Sequence, residues 1–355
     1  MDFTFTEDQL LFQESVREFL INEVTAESIR ALWETDSGRS DTLWSQLAEL
    51  GLTAMTVPEA FGGLGMNELD FVLIAQECGY VALPAPLVHT ALVAVPTLCA
   101  LEGEAGEALK AQWLPAIAEG SAKVVVGLEA NYVVEDAHIA DLLIMQHGEQ
   151  LHALTKEQFT VQHNESVDPS RKLFTVSWTP GGQTLIADGE VAQQLITAAL
   201  DRGALGVAAE SLGLSQRMVD AAVTYTADRQ QFGKPIGSFQ AVKHLMANIA
   251  FKLEYAKTPV YRAAYALAHQ LSTASVNVSH AKVAATEVAQ IAARNTMQAY
   301  GAMGYTWEVD LQIFMKKAWA YNNTWGMTAF HEQRVAEFAL ADQAPIGAGN
   351  TFASC

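Results

Sequence analysis

Apolar and polar positions alternate with a helical period through the first third of the chain. Thr6 is followed by acidic residues and then by apolar side chains at Leu10, Val16 and Leu20, which predicts a capped amphipathic helix. The pattern recurs between breaks at glycine and proline, so we predict an N-terminal helical domain over residues 1–122. Its further helices are predicted over 43–50, 68–78, the apolar segment after Pro86, and 103–118.

The pattern changes at Lys123 to short β-branched runs separated by Gly, Pro, Asp and Asn. These runs predict a small antiparallel β domain over residues 123–190. The six predicted strands are 123–128, 142–146, 151–155, 159–163, 173–178 and 184–187.

Helical spacing returns at Val191 and continues almost to the end of the chain. Long antiparallel helices with short connections predict a C-terminal four-helix bundle over 191–344. Pro259 is expected to kink the second helix or to end it early, and the Gly-, Ala- and Ser-rich residues 345–355 are expected to form a flexible tail. The four predicted helices are 191–228, 239–270, 273–303 and 309–340. The fold class is therefore mainly α with a small β domain.

Composition adds the expectation of an oligomer. Half of the 355 residues are hydrophobic and only 17% are charged, which suits a chain that buries apolar faces against other subunits. The most apolar stretch, from Ala85 to Leu101, contains two prolines and a histidine and is too short to span a bilayer. No secretion signal pattern opens the chain, so we expect a cytoplasmic protein without a membrane span.

The net charge restricts the classes of partner, and the cysteines indicate the redox compartment. The formal net charge of −19 argues against a nucleic-acid partner, because neutralising phosphates along a duplex needs a basic face. An anionic ligand such as coenzyme A or a dinucleotide remains possible if a few arginines are local. Cys78, Cys99 and Cys355 lack metal-ligand spacing, which predicts two core thiols and one tail thiol in a reducing compartment.

Four segments carry a family resemblance, and they occur in the family's order. Residues 58–65 read Pro-Glu-Ala-Phe-Gly-Gly-Leu-Gly, residues 229–240 read Arg-Gln-Gln-Phe-Gly-Lys-Pro-Ile-Gly-Ser-Phe-Gln, and residues 298–308 read Gln-Ala-Tyr-Gly-Ala-Met-Gly-Tyr-Thr-Trp-Glu. A weaker match is Asp-Pro-Ser-Arg at 168–171. Together with the order of helices, β domain and helical bundle, the chain resembles the acyl-CoA dehydrogenases.

The resemblance implies FAD-dependent α,β-desaturation of an acyl-CoA thioester, with an electron-transfer flavoprotein as electron acceptor. It also implies contacts to the pyrophosphate of an FAD shared across a subunit interface. The residues at the matching positions are Arg229, Phe232, Gln240, Gln298, Gly301 and Ala302. An arginine fork suits a pyrophosphate, and small residues permit close approach of the backbone. Ala302 stands where the family has a second glycine.

The positions that the resemblance assigns to the catalytic base hold no proton acceptor. One position holds Trp325 and the alternative position holds Gly203. Asp201 and Glu210 are the nearby carboxylates that could substitute for a base, and both are more simply interpreted as solvated or salt-bridged carboxylates. His244 and His331, on predicted helical faces, are interpreted as structural histidines.

The β domain also resembles a shortened version of the family's. Residues 124–131 run almost directly into 132–143, where the family has an additional loop and strand beside the flavin ring. The flavin ring and the thioester would lose part of their support. The half-site for the pyrophosphate is thus kept, and the half-site for the chemistry is altered.

Three interpretations follow. The first is a partner subunit without a base, similar to one subunit of the α2β2 steroid-side-chain dehydrogenases, that lends pyrophosphate contacts to a catalytic subunit. The second is a self-sufficient homo-oligomeric acyl-CoA dehydrogenase with an unconventional base. The third is a flavin-free binding protein on the same fold.

Overall fold

Eleven α-helices are present in the computed structural model, which describes residues 4–342, 344 and 347. The N-terminal helices are α1 (Glu7–Glu23), α2 (Ala26–Trp33), α3 (Asp41–Glu49), α4 (Glu68–Tyr80), α5 (Val95–Cys99) and α6 (Gly103–Ala118), and a π-helix over Val88–Ala94 precedes α5. Thr6 caps α1 as predicted: its hydroxyl accepts from the Gln9 N–H, and the Gln9 side chain accepts from the Thr6 N–H. The remaining helices are α7 (Gly189–Asp228), α8 (Gln240–Ala268), α9 (Ala274–Tyr300), α10 (Leu311–Tyr321) and α11 (Thr328–Ala339).

The β region contains the six predicted strands and one additional two-residue strand. The strands are β1 (Val124–Gly127), β2 (Val134–Glu135), β3 (Leu142–His147), β4 (Gln150–Thr155), β5 (Phe159–Asn164), β6 (Leu173–Trp178) and β7 (Leu185–Asp188). They form a four-stranded sheet in the order β1-β3-β4-β7 and a three-stranded sheet in the order β2-β6-β5. All pairings are antiparallel except β1 with β3, which are parallel neighbours with Val124 opposite Leu142.

The parallel pair follows from the path of the connection between β1 and β3. Residues 128–141 contain only β2, which pairs with β6 of the other sheet, so the chain returns to β1 running in the same direction. The apolar faces of the two sheets enclose a core that includes Val125, Leu143, Leu154 and Phe174. Burial of these side chains is the main driving force for the β region.

Asp168-Pro169-Ser170-Arg171, the weakest of the four matching segments, has a structural role in this region. The Asp168 carboxylate accepts from the Ser170 N–H at 2.9 Å, and the Arg171 Nε donates to Glu135 of β2 at 2.9 Å. Arg39 completes the cluster through an ion pair with Asp136 at 2.7 Å. This segment therefore anchors the shortened β1–β3 connection.

The chain divides into two compact units, and the division does not follow the linear domain order. One unit contains residues 27–71 and 84–206, and the other contains residues 1–26, 72–83 and 207–355, as far as these are described. The predicted domain boundaries at 122, 190 and 344 stay predictions. Of the predicted tail 345–355, only Gly347 is among the described residues, and Cys355 lies outside them.

The second unit holds the helical bundle. The predicted fourth helix, 309–340, is interrupted between α10 and α11, where Trp325 and Gly326 both have positive φ, +56° and +90°. An α-helix cannot continue through that conformation. In contrast, α8 continues through Pro259, so the prediction that Pro259 ends this helix is wrong. Pro259 has no N–H to donate to the carbonyl of Tyr255. Neither residue is buried, so water can solvate this carbonyl instead.

Candidate functional site

Helices α8 and α9 form an antiparallel pair joined by residues 269–273, and their register places two predicted FAD contacts together. The Lys252 Nζ donates to Glu287 at 3.1 Å, which shows the register of the two helices. Gln240 lies twelve residues before Lys252, and Ala299 lies twelve residues after Glu287. Gln240 is therefore level with Gln298 and Ala299, at the same end of the pair.

The end of α7 joins this site through two stacked tyrosines. Tyr225 of α7 and Tyr300 of α9 have ring centroids 4.0 Å apart and planes inclined by 9°, and the Tyr300 hydroxyl donates to the Ala221 carbonyl at 3.2 Å. Burial raises the pKa of Tyr300, and the neighbouring Tyr225 adds to the shift, so the hydroxyl stays protonated. Arg229 follows Tyr225 by one turn, its N–H donating to the Tyr225 carbonyl at 2.9 Å. The stack thus brings Arg229 and Gly301 to the same end of the bundle.

A tight hairpin presents Phe232 to solvent. Strands β8 (Gln230–Gln231) and β9 (Lys234–Pro235) pair across a turn in which Phe232 and Gly233 have φ of +56° and +77°. Positive φ at both central residues is the requirement of a type I′ turn, and for Phe232 it costs roughly 1–2 kcal/mol. The side chain of Phe232 is nevertheless 90% exposed. A strained and exposed aromatic residue is typical of a binding position rather than of a core position.

Gly301 and Ala302 leave the backbone open at the end of α9. Gly301 has φ +62° and ψ −138°, a conformation that is almost confined to glycine, and no atom lies within 4 Å of where its Cβ would stand. Ala302 is exposed. Gly304 is required by packing instead, since a Cβ there would lie 2.9 Å from the Met297 carbonyl oxygen. The backbone at 301–302 is therefore accessible to a ligand.

The charges at the end of the bundle that holds Gln240 and Gln298 favour the binding of an anion. Residues 229–243, which lie at this end, contain three basic residues and no acidic residue within a chain of net charge −19. Lys252 and Lys257 form ion pairs with Glu287 and Glu254. The side chains of Arg229 and Lys243 form no ion pair or hydrogen bond with any described residue. The pyrophosphate of FAD fits this end of the bundle, which offers cations, amide donors and an open glycine backbone.

Trp325, at the first position for a catalytic base, lies at the opposite end of α9. The Trp325 carbonyl accepts from the His331 Nε2 at 2.8 Å, and the His331 Nδ1 lies 3.0 Å from the Ser279 hydroxyl near the start of α9. Ser279 precedes Gly301 by 22 residues, or roughly 30 Å along the helix. Trp325 is only 1% exposed, so the indole is buried in its own unit.

The other positions considered for a base lie on α7 and do not form one site. Gly203 is buried within this helix, as are the carboxylates of Asp201 and Glu210. Asp201 and Glu210 are nine residues apart, so they point to opposite sides of α7. Burial raises the pKa of the Cys78 thiol, and the negative charge of the nearby Glu210 carboxylate raises it further.

Two of the histidines differ in their surroundings. His331 is fully buried, and burial lowers its pKa to about 4, so it is neutral and bridges Ser279 and Trp325. His244 is exposed on α8. Among the described residues, no group of His, Cys, Asp and Glu could hold a metal ion, and no helix is long and apolar enough to cross a membrane.

Comparison with known proteins identifies the family. A model described as "Acyl-CoA dehydrogenase, N-terminal domain" matches residues 6–121, and one described as "Acyl-CoA dehydrogenase, C-terminal domain" matches residues 193–340. The acyl-CoA dehydrogenase IpdE2 of Mycolicibacterium smegmatis is 32% identical over 314 residues, which cover 88% of this chain and 93% of that relative.

Solved structures share the fold at lower identity. The ChsE4-ChsE5 complex from Mycobacterium tuberculosis aligns with a TM-score of 0.84 and 19% identity, covering 97% of this chain and 100% of that chain. Butyryl-CoA dehydrogenase from Megasphaera elsdenii aligns with a TM-score of 0.84 and 22% identity, covering 96% and 100%. With both family models in order and a relative matched over nearly its full length, this chain belongs to the acyl-CoA dehydrogenase family.

Proposed function

We propose that this chain is a partner subunit that lends pyrophosphate contacts to an FAD whose reactive ring lies in a catalytic subunit. The complex desaturates an acyl-CoA thioester between Cα and Cβ, in the cytoplasm, and passes electrons to an electron-transfer flavoprotein. The observation that carries the proposal is the buried tryptophan at a base position of a chain that keeps the residues expected to contact the phosphates. The residues predicted to contact the phosphates are exposed at one end of α9, whereas the base position at the other end holds a buried tryptophan.

The residues of this chain act by binding and orientation. Arg229 offers a planar fork of donors to the phosphates, and Gln240 and Gln298, which lie at the same level of the α8–α9 pair, offer neutral donors. The open backbone at Gly301 and Ala302 permits close approach of the phosphate oxygens. When bound, the flavin supplies the acceptor for the hydride that leaves the β-carbon. Trp325 cannot take the α-proton, because an indole is not a base at physiological pH, so that proton has to be taken by a residue of the catalytic subunit.

Substitution of Arg229 tests this proposal. The Arg229→Ala variant, coexpressed with an acyl-CoA dehydrogenase subunit from a neighbouring gene, should assemble but release FAD on dialysis. Loss of one charge-assisted contact costs about 1.5–3 kcal/mol. Flavin occupancy is read from the absorbance spectrum, and circular dichroism checks that the chain is folded.

Arg262→Ala is the matched control, since Arg262 lies near the far end of α8, roughly 30 Å along the helix from Gln240. This control should keep its flavin. Unchanged flavin occupancy in Arg229→Ala would remove the cross-interface role from the proposal.

A further inference from the structure

The exposed side of α9 carries a cation that the family motifs do not include. Glu287, Arg294 and Gln298 are exposed and follow one another at spacings of seven and four residues, so they lie along one line of the helix. Arg294 is one turn before Gln298, a predicted pyrophosphate contact. Because the ion pair of Glu287 with Lys252 places this line beside α8, Arg294 lies along the α8–α9 seam.

Arg294 has no anionic partner of its own. Its guanidinium forms no ion pair or hydrogen bond within residues 4–342. Glu287, the acidic residue on the same line, lies seven residues away, roughly 10 Å along the helix, and is paired with Lys252. An exposed guanidinium beside predicted phosphate contacts is therefore available to an external anion.

A pyrophosphate diester carries two negative charges, one on each phosphate group. Arg229 neutralises one of them, while Gln240, Gln298 and the backbone at 301–302 contribute neutral donors. A second cation at this end would complete the neutralisation, and Lys234, Lys243 and Arg294 are the candidates.

The geometry of the two lysines is less favourable. The Lys234 ammonium lies 4.4 Å from the ring centre of Phe239 and is engaged there. Lys243 and Lys252 are nine residues apart on α8 and so point to opposite sides of it. Since Lys252 faces α9, Lys243 points away from α9 and from the line that holds Arg294 and Gln298.

We propose that Arg294 is the second cation for the phosphates of the flavin dinucleotide. This inference rests on the proposed function and extends it to a residue outside the matching motifs. The planar guanidinium of Arg294 can bind two oxygens of one phosphate, while Arg229 binds the other.

The test uses the complex with the coexpressed dehydrogenase subunit and measures flavin retention rather than turnover. Arg294→Ala should weaken FAD binding by about 10- to 100-fold, as expected for one charge-assisted contact. Arg294→Lys should recover part of the loss because it keeps the charge but not the fork. The apparent Kd is measured by flavin fluorescence after removal of FAD, and light scattering on a sizing column reports assembly.

The outcomes separate this inference from the proposed function. Loss of FAD in Arg229→Ala with full retention in Arg294→Ala would overturn the role of Arg294 and leave the proposed function standing. Full retention in both variants would overturn both. Disassembly of the complex in Arg294→Ala would make Arg294 a subunit contact and would also overturn its assignment to the phosphates.

Discussion

His331 gives the bundle a dependence on pH. Its pKa is lowered to about 4, first by burial, against an ordinary value of 6.5. Because the folded state binds the proton less readily than the unfolded state, this histidine's contribution is complete above pH 6.5 and is lost as pH falls toward 4. The pKa difference corresponds to roughly 3 kcal/mol of unfolding free energy. Denaturant titrations at pH 7.5 and pH 5 should show roughly 2 kcal/mol of this loss, because pH 5 lies 1.5 units below the pKa of the unfolded state.

His331→Gln isolates the effect, since the pKa values of His89, His138 and His152 are also lowered by burial and that of Glu77 is raised. The variant is less stable at pH 7.5 but should lose less stability than the wild type on acidification. Equal losses in the two proteins would contradict the assignment to His331.

The sequence predicts which residue stands at a functional position, but not its backbone conformation or its tertiary contacts. Trp325 was identified as the residue at a base position because glycine follows it and the family pattern can be aligned there. Its positive φ and its bond to His331 could not be predicted. Ser279 and His331 are 52 residues apart, and a side-chain bridge of that length leaves no periodic signal.

Two helices cross closely at a pair of glycines. Gly79 of α4 faces the backbone of Glu210, and Gly213 of α7 faces the carbonyl oxygen of Gln76; a Cβ at either glycine would overlap these atoms. Gly213→Ala should therefore destabilise the protein by about 2 kcal/mol or more, because the helices must move apart. Urea unfolding measures the change.

Gly182→Ala is the control for this crossing, because no atom lies within 4 Å of the added methyl group. It should change the stability by less than about 0.5 kcal/mol. A similar small effect in Gly213→Ala would show that the helices can separate without cost.

At the level of elements, periodicity predicts most helices and all six long strands, but it does not show where two helices pack closely against each other. The sequence places Gly79 just after the predicted helix 68–78, whereas α4 continues to Tyr80 and uses Gly79 for packing. It also could not predict that β1 and β3 are parallel, since pairing direction depends on the path of the connection rather than on the strand residues.

At the level of the whole molecule, the proposed phosphate contacts and the base position lie at opposite ends of α9, so under this proposal one chain does not place both on the same flavin. The composition already predicted association, and the exposed surface agrees with that prediction. Phe251 and Tyr255 of α8, 63% and 68% exposed with ring centroids 4.6 Å apart, lie on the same side of the helix as Gln240. The convergence of Arg229, Gln240 and Gln298 was implied by family motifs, but the register that produces it comes from tertiary contacts.

The stoichiometry of flavin follows from this separation. If the proposed function holds, the chain purified alone should retain almost no FAD, because it would supply phosphate contacts without the half-site for the flavin ring. The complex with a catalytic subunit should hold about one FAD for every two chains, as expected if each site takes one half from each subunit, and acyl-CoA should bleach the flavin only there. Absorbance spectra of both preparations, before and after addition of acyl-CoA, measure these ratios.

The Trp325→Glu variant tests whether a carboxylate at the base position makes the lone chain active. A carboxylate at this position should not allow the lone chain to bleach flavin, because the residue is buried and lies roughly 30 Å along α9 from the phosphate contacts. One FAD per lone wild-type chain, bleached by acyl-CoA, would instead establish a self-sufficient enzyme with an unconventional base. A complex free of flavin with every neighbouring dehydrogenase subunit would favour a binding protein, since the exposed arginines would then serve some other anion.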